Sequence, residues 1–424
     1  MSRRIAVWAP NAQRVELVHA GRREPMPLEE SGWHAAEAGL SAGDDYEFSL
    51  DGGELRPDPR SRCQPQGSGG PSRCADIAGF AWQDKGWRGF PLAGAVIYEL
   101  HVGTFSAEGT FDGVIGHLQH LVDLGVNAVE LMPLATFAGD RGWGYDGVNL
   151  YAPHPAYGGP EGLCRLIDAC HARGLAVVVD VVYNHLGPEG NHLPDFGPYF
   201  TDRYATPWGD AFNYDGPDSD EVRAFVVHNA AMWLEDYHCD GLRLDAVHAI
   251  VDTSATHIVE EIAGVAVVLS ERLQREIWII AESDANDPRL VRDVAAGGYG
   301  VGAQWNDNFH HALHAVLTGE RQGYYVDFGS LDALSTALHQ AYVFTGQYSR
   351  FRRRRFGRAT TGLPLTRFVG YAQNHDQVGN RARGDRLCHL VSPGRARIAA
   401  ALVLLSPFVP MLFQGEEWAA STPF

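Results

Sequence analysis

Two hydrophobic periodicities divide the chain. Through about residue 90, apolar positions alternate with polar ones in short runs broken by Gly, Pro and Asp. Arg14-Val15-Glu16-Leu17-Val18 and Tyr46-Glu47-Phe48-Ser49-Leu50 are of this kind, the pattern of strands with one buried face. Asp58 to Pro71 is rich in Pro, Gly, Ser and Gln and reads as loop. These features predict a small all-β sandwich module over residues 1–90.

From Ala95 the pattern changes. Ala95-Val96-Ile97-Tyr98-Glu99-Leu100 reads as a buried strand and is followed by a helical period at Leu118, Leu121, Val122 and Leu124. Next come a strand at Ala128–Met132, a helix around Leu163–Cys170, and a strand at Leu175–Val182. A helix over Glu221–Tyr237 precedes a strand at Leu242–Val247, and a helix over Ile258–Leu273 precedes one at Ile277–Ala281. Further strands are predicted at Gly302–Asn306, Arg367–Gln373 and Val409–Phe413. Eight strands alternating with helices make an α/β fold, a (β/α)8 TIM barrel over residues 91–424. Chemistry in such barrels sits at the strand C-termini.

Composition narrows that chemistry. Of the 34 basic residues only Lys85 is a lysine, and it lies in Asp84-Lys85-Gly86-Trp87. A phosphate-binding Gly-Lys-Ser/Thr loop is therefore absent, and Schiff-base chemistry has only one candidate amine. The net charge of −18 argues against nucleic acid or an anionic membrane as partner and suits a neutral ligand. The exception is Arg350 to Arg358, which holds six arginines and reads as a solvated loop. The six cysteines include no C-x-x-C pair, which fits reduced thiols in a cytoplasmic protein, with a Cys63–Cys74 bridge left open. The short apolar run Ile5–Ala9 ends at Pro10 and is too brief for a signal h-region. His310 and His314 lie one helical turn apart, but without the Glu of an H-E-x-x-H sequence they read as ordinary helix residues. No metal or cofactor is expected.

Four strand ends carry the same kind of payload: Asp180-Val181-Val182-Tyr183-Asn184-His185, Arg243-Leu244-Asp245-Ala246-Val247-His248, Glu282-Ser283-Asp284 and Asn374-His375-Asp376. A single acidic residue at a strand end is as easily a helix cap as a catalyst. Three such ends, each beside Arg, His or Asn, would converge on one pocket. Arg243 and Asp245 are two apart and share a face of their strand, so the guanidinium favours an ionised Asp245. Glu282 follows Ile277-Trp278-Ile279-Ile280-Ala281, whose apolar character favours a protonated carboxyl. One charged and one protonated carboxyl is the pair that glycoside hydrolysis uses.

In order and spacing these four segments resemble the motif regions of the α-amylase superfamily, glycoside hydrolase family 13. The resemblance implies Asp245 as nucleophile, Glu282 as general acid/base and Asp376 as transition-state stabiliser. It places Arg243, His185 and His375 around the −1 sugar, with Tyr145 stacking or positioning. His248, Asn374, Trp143 and Asp307 join the expected substrate-binding set, and Asp180 becomes an orienting partner. Among the tryptophans, Trp143, Trp208 and Trp305 are the subsite candidates, whereas Trp233 and Trp278 read as core. Val7-Trp8-Ala9-Pro10-Asn11-Ala12 resembles the isoamylase-type module that precedes branching and debranching enzymes. Glu130-Leu131-Met132-Pro133, Trp143-Gly144-Tyr145-Asp146-Gly147, Gln304-Trp305-Asn306-Asp307 and Tyr348 to Arg355 resemble, more narrowly, the malto-oligosyltrehalose trehalohydrolase family. Its activity is hydrolysis of the α-1,4 bond next to the terminal trehalose of maltooligosyl trehalose. Two alternatives stand beside it: a glycogen branching enzyme, and a catalytically impaired glycan-binding fragment. The last is motivated by the expectation, from the resemblance, of an eighth helix and a C-terminal β-domain beyond the eighth strand.

Overall fold

The structure is a computed structural model that describes residues 3–424. Its centre is a closed barrel of eight parallel strands. They are β1 (Ile97–Leu100), β2 (Ala128–Leu131), β3 (Ala176–Val181), β4 (Gly241–Leu244), β5 (Trp278–Ala281), β6 (Ala303–Trp305), β7 (Phe368–Gly370) and β8 (Val409–Phe413). Every residue of β1 to β7 is buried, as expected for strands covered on both faces.

Period-two alternation sorts their side chains into two cores. Ile97, Ala128, Ala176, Val178, Ile280, Ala303, Val369 and Met411 fill the barrel lumen. Val129, Val177, Val179, Leu242 and Ile279 belong to the outer core with the helices. The same alternation carries Glu99, Glu130, Asp180 and Arg243 onto the lumen side one layer higher. Glu99 stands in register with Glu130, and Asp180 with Arg243.

Helices Gly159–His171, Ser219–Glu235 and Ile258–Leu273 link β2 to β5. The crossing from β5 to β6 differs from the rest. It holds one 3-10 turn at Val294–Ala296 and no α-helix, because Pro288, Gly297, Gly298 and Gly300 interrupt it. Around Arg350–Arg358 the expected open loop is a tight hairpin, with Tyr348–Ser349 paired to Arg354–Arg355. The Asp327 carboxylate anchors it by accepting from the backbone N–H of Arg350 (2.8 Å) and Phe351 (3.3 Å). All six cysteines are free thiols, so Cys63 and Cys74 are not bridged.

Before the barrel, Arg3–Trp8 pairs with Trp33–Ala38, and a second sheet is built on Val15–His19 and Asp45–Leu50. Their inner faces join the outer core of the barrel. The Trp8 ring meets Tyr199 edge-on at 5.2 Å, and the Arg60 guanidinium lies over Trp33, Tyr151 and Phe225 at 5.3, 5.7 and 5.3 Å.

A second attachment lies under the barrel, where residues 82–90 cross the strand N-termini. His171 bonds Asp84 through Nδ1 (2.8 Å) and Asp240 through Nε2 (2.9 Å), with none of its side chain exposed. Asp240 also accepts from Trp87 Nε1 (2.6 Å) and the Val177 amide (2.8 Å). Trp87 stacks on His171 at 4.7 Å, and Trp82 stacks on His238, which itself bonds Asp84.

Candidate active site

The top of the barrel gathers the carboxylates around one cation. Arg243 is fully buried and donates through one terminal nitrogen to both Asp180 oxygens (2.9 and 2.7 Å) and to Asp245 Oδ1 (2.8 Å). Its other terminal nitrogen lies 3.5 Å from Glu282 Oε2. Trp305 closes the guanidinium from one side at 4.2 Å. Trp305 is 1% exposed, so the sequence-based view of it as a sugar platform is corrected: its ring face is spent on Arg243 by a cation–π contact.

Asp245 and Glu282 are tied by the backbone as well as by this cation. The Glu282 amide donates to Leu244 O (2.9 Å), and the Ala246 amide donates to Glu282 Oε2 (2.5 Å). Ala246 reaches that position with φ 40° and ψ 47°, a left-handed conformation costing a non-glycine residue about 1–2 kcal/mol. Its alanine side chain gives no sequence signal for such a turn. Burial pushes the Glu282 carboxyl well above the usual range; Arg243 opposes this, and the charges of Asp245 and Asp376 reinforce it. Asn184 donates to Asp245 Oδ2 (2.9 Å) and turns its carbonyl towards His185.

Asp180, also raised by burial and partly restrained by Arg243, sits at about 6. It accepts from Tyr145 Oη at 2.5 Å, so it orients Tyr145 and Arg243 from below. Tyr145 stacks on His375 at 5.1 Å. The Trp143-Gly144-Tyr145 turn depends on Gly144 (φ +97°), where a Cβ would sit 2.3 Å from Pro133 O. Trp143 meets His375 edge-on at 6.0 Å.

Asp376 opens the short helix His375–Gly379 with 45% of its side chain exposed, and its Oδ1 is 3.5 Å from His375 Nε2. Asn374 spends its side-chain oxygen capping that helix, accepting from the Asp376 and Gln377 amides, and so presents Asp376 and His375. Trp208 is half exposed and stacks on His185 at 5.5 Å. His248 lies at the rim, 3.8 Å from Asp284. Asp307 accepts from the Tyr371 hydroxyl, and burial raises its carboxyl to about 7.

Sequence reasoning did not reach Arg352, which crosses from the hairpin to Asp284 (2.5 Å) and packs over Phe356 at 4.4 Å. It also gave no role to Glu99, or to Glu130 beyond its place in a family-like segment. Their alternation with Ile97 and Ala128 on inward-facing positions was the available signal.

His310 and His314 are satisfied within the fold. His310 bonds Ala372 O and Tyr325 Oη, and His314 bonds Glu320. No cluster of three or more His, Cys, Asp or Glu suited to a metal is gathered among the described residues.

The family profile described as alpha amylase, catalytic domain, matches residues 71–197. A crystal structure of a Salmonella typhimurium protein described as an alpha amylase superposes with a TM-score of 0.94 at 43% identity, covering 99% of this chain and 72% of that one. Pullulanase from Paenibacillus barengoltzii shares the fold, with a TM-score of 0.75 at 23% identity over 99% of this chain and 72% of that one. Barrel, carboxylates and profile define a glycosidase of the α-amylase type.

Relatives narrow the class further. The malto-oligosyltrehalose trehalohydrolase of Arthrobacter ramosus is 55% identical over all of this chain and 75% of its own length. That of Saccharolobus solfataricus is 48% identical over 99% of this chain and 74% of its own. The chain belongs to the malto-oligosyltrehalose trehalohydrolase family, and it spans about three quarters of the length of these relatives.

Proposed function

We propose that this chain hydrolyses, with retention, the α-1,4 bond adjacent to the terminal trehalose of maltooligosyl trehalose and releases free trehalose. The observation that carries this is the unequal treatment of two carboxyls by one buried guanidinium. Asp245 is hydrogen-bonded to Arg243 at 2.8 Å, whereas Glu282 lies 3.5 Å from the other guanidinium nitrogen and burial raises its carboxyl, as suits a proton donor. Asp245 attacks the anomeric carbon. Glu282 donates its proton to the leaving trehalose oxygen, and then takes a proton from the water that hydrolyses the glycosyl ester. Asp376 faces the positive charge that develops on the ring.

Arg243, His185, His375 and Tyr145 hold the −1 sugar, and Trp143, His248, Asp307 and the helix presented by Asn374 complete the surrounding contacts. Residues 1–90 serve as the carbohydrate-binding-like module and 91–424 as the catalytic barrel. No helix among the described residues is long and apolar enough to cross a membrane, and we place the enzyme in the cytoplasm, acting without metal or cofactor.

The test is mass-spectrometric product analysis with maltooligosyl trehalose. Free trehalose plus a shortened maltooligosaccharide is expected. Branch-point formation on amylose without trehalose would identify a transferase instead, and no change in either substrate would identify a binding protein.

A further inference from the structure

Glu99 has no part in the chemistry above, yet both of its oxygens are engaged by a single residue of the cleft. It lies on β1 at the lumen layer shared with Glu130, Asp180 and Arg243. Its Oε1 is 2.5 Å from His375 Nδ1, and its Oε2 accepts the His375 backbone N–H at 3.1 Å. Both side chains are 1% exposed. One carboxylate therefore grips the ring and the backbone of a residue on the opposite side of the strand closure. The remaining ring nitrogen, Nε2, is left towards Asp376 at 3.5 Å and the cleft.

We propose that Glu99 is a positioning residue for glycoside cleavage: it holds His375 in the orientation and protonation state in which Nε2–H faces the −1 sugar as a donor. The proposal rests on reading the cleft as the glycosidase site described above. A neutral imidazole has one donor and one acceptor nitrogen, and which is which follows from the partner of the other. A carboxylate on Nδ1 fixes a hydrogen there. Stabilising the cation places a second hydrogen on Nε2 as well.

The other groups around the ring do not share this role. Tyr145 stacks at 5.1 Å and Trp143 and Trp305 pack at 6.0 and 6.1 Å. Arg243 disfavours the imidazolium, whereas Asp376, next in sequence, favours it. Asp180 and Glu130 face it from β3 and β2, and His101 from the end of β1. Glu130 is fully buried with both oxygens unpartnered, and burial first and the Glu99 charge second push its carboxyl far up. Of these two neighbouring carboxyls it is Glu99 that engages His375, through both of its oxygens. Burial alone would lower His375; Glu99 and then Asp376 overcome it and bring the ring to about 9.

The experiment uses the full chain with maltooligosyl trehalose and compares wild type, Glu99→Gln, His375→Asn and the double variant from pH 5 to 10. For E99Q the expected result is kcat at least tenfold lower with KM within about threefold. Its alkaline limb should fall by about two pH units, towards the ordinary imidazole range near ~6.5. In the double variant, loss of Glu99 should add less than about twofold to H375N, since Glu99 acts through the ring. Wild-type kcat and pH profile in E99Q, or losses that multiply in the double variant, would overturn the proposal. Should E99Q melt below the assay temperature, Glu99→Asp carries the test. It keeps the charge at shorter reach, so an unaltered kcat overturns the proposal and a lower kcat with the alkaline limb retained supports it. Wild type that releases no trehalose but cleaves a plain α-1,4-glucan would sink the substrate reading alone, and the same four proteins would then be compared on that glucan.

Discussion

Replacing His171 by Ala should destabilise the protein without touching the cleft. His171 bridges Asp84 and Asp240, whose side chains are 4% and 0% exposed. Removing one partner of a buried pair costs about 3–5 kcal/mol, because the other charge stays buried. Asp240 keeps the Trp87 and Val177 donors, and Asp84 keeps His238, so the lower end, about 3 kcal/mol, applies. At about 2–4 °C per kcal/mol for a large domain, the melting temperature should fall by roughly 6–12 °C in differential scanning calorimetry at pH 6.

Adding Asp240→Asn to H171A should recover part of that loss by removing the stranded charge. The penalty should also depend on pH. Burial would lower His171, but the hydrogen bonds it donates to Asp240 and Asp84 outweigh it and raise its pKa. A raised imidazole contributes fully below its unfolded value near ~6.5 and progressively less as pH climbs through the folded value. Asp84 runs the other way: burial is outweighed by its two histidines, its pKa is lowered, and its contribution fades only in strong acid. H171A should therefore cost more at pH 6 than at pH 9. A melting shift under about 2 °C, or D240N making H171A worse, would refute the idea that the pair is held by charge.

Glu282→Gln should abolish turnover by about 10³-fold or more while leaving the melting temperature unchanged or raised, since a buried carboxyl becomes a neutral amide; product assay and calorimetry check both halves. Because burial raises the Glu282 carboxyl, a proton donor at that position should let wild-type kcat/KM hold up well above ~4.3, which a pH–rate profile reads directly. Asp245→Ala should be inactive on maltooligosyl trehalose, and sodium azide with an α-maltosyl fluoride should restore turnover to the β-azide, detected by mass spectrometry. Trp208→Ala, at a half-exposed ring over His185, should raise KM several-fold with the melting temperature unchanged.

Much of this site was legible because strand alternation is a strict geometric rule. Arg243 and Asp245 share a face because they are two apart, and the raised carboxyl of Glu282 follows from burial at the end of an apolar strand, although its immediate neighbours are Arg243 and the Ala246 amide. Helix Ile258–Leu273 and strand Val409–Phe413 fall where the periodicity puts them. What escaped depends on contacts distant in sequence or on backbone conformation. Nothing about Ala246 announces a left-handed turn. Trp305 belongs under Arg243 only once β4 and β6 are both in place. Arg352 looked like one of six solvated arginines until the hairpin brought it to Asp284. Glu99 was absorbed into a run read as buried strand, and Glu130 drew notice only as part of a family-like segment, although their inward register could have been counted.

The sharing of Arg243 has a consequence in time. In the proposed reaction, forming the glycosyl ester at Asp245 removes a carboxylate charge, and Glu282 loses one of the like charges that raise its carboxyl. The cation that both acids faced is then less offset, which favours Glu282 as an anion just when a base is needed. The switch from acid to base follows from the loss of a neighbouring charge, with no strand, turn or side chain required to move. The same barrel wall can thus serve both halves of the reaction, timed by the bond it makes.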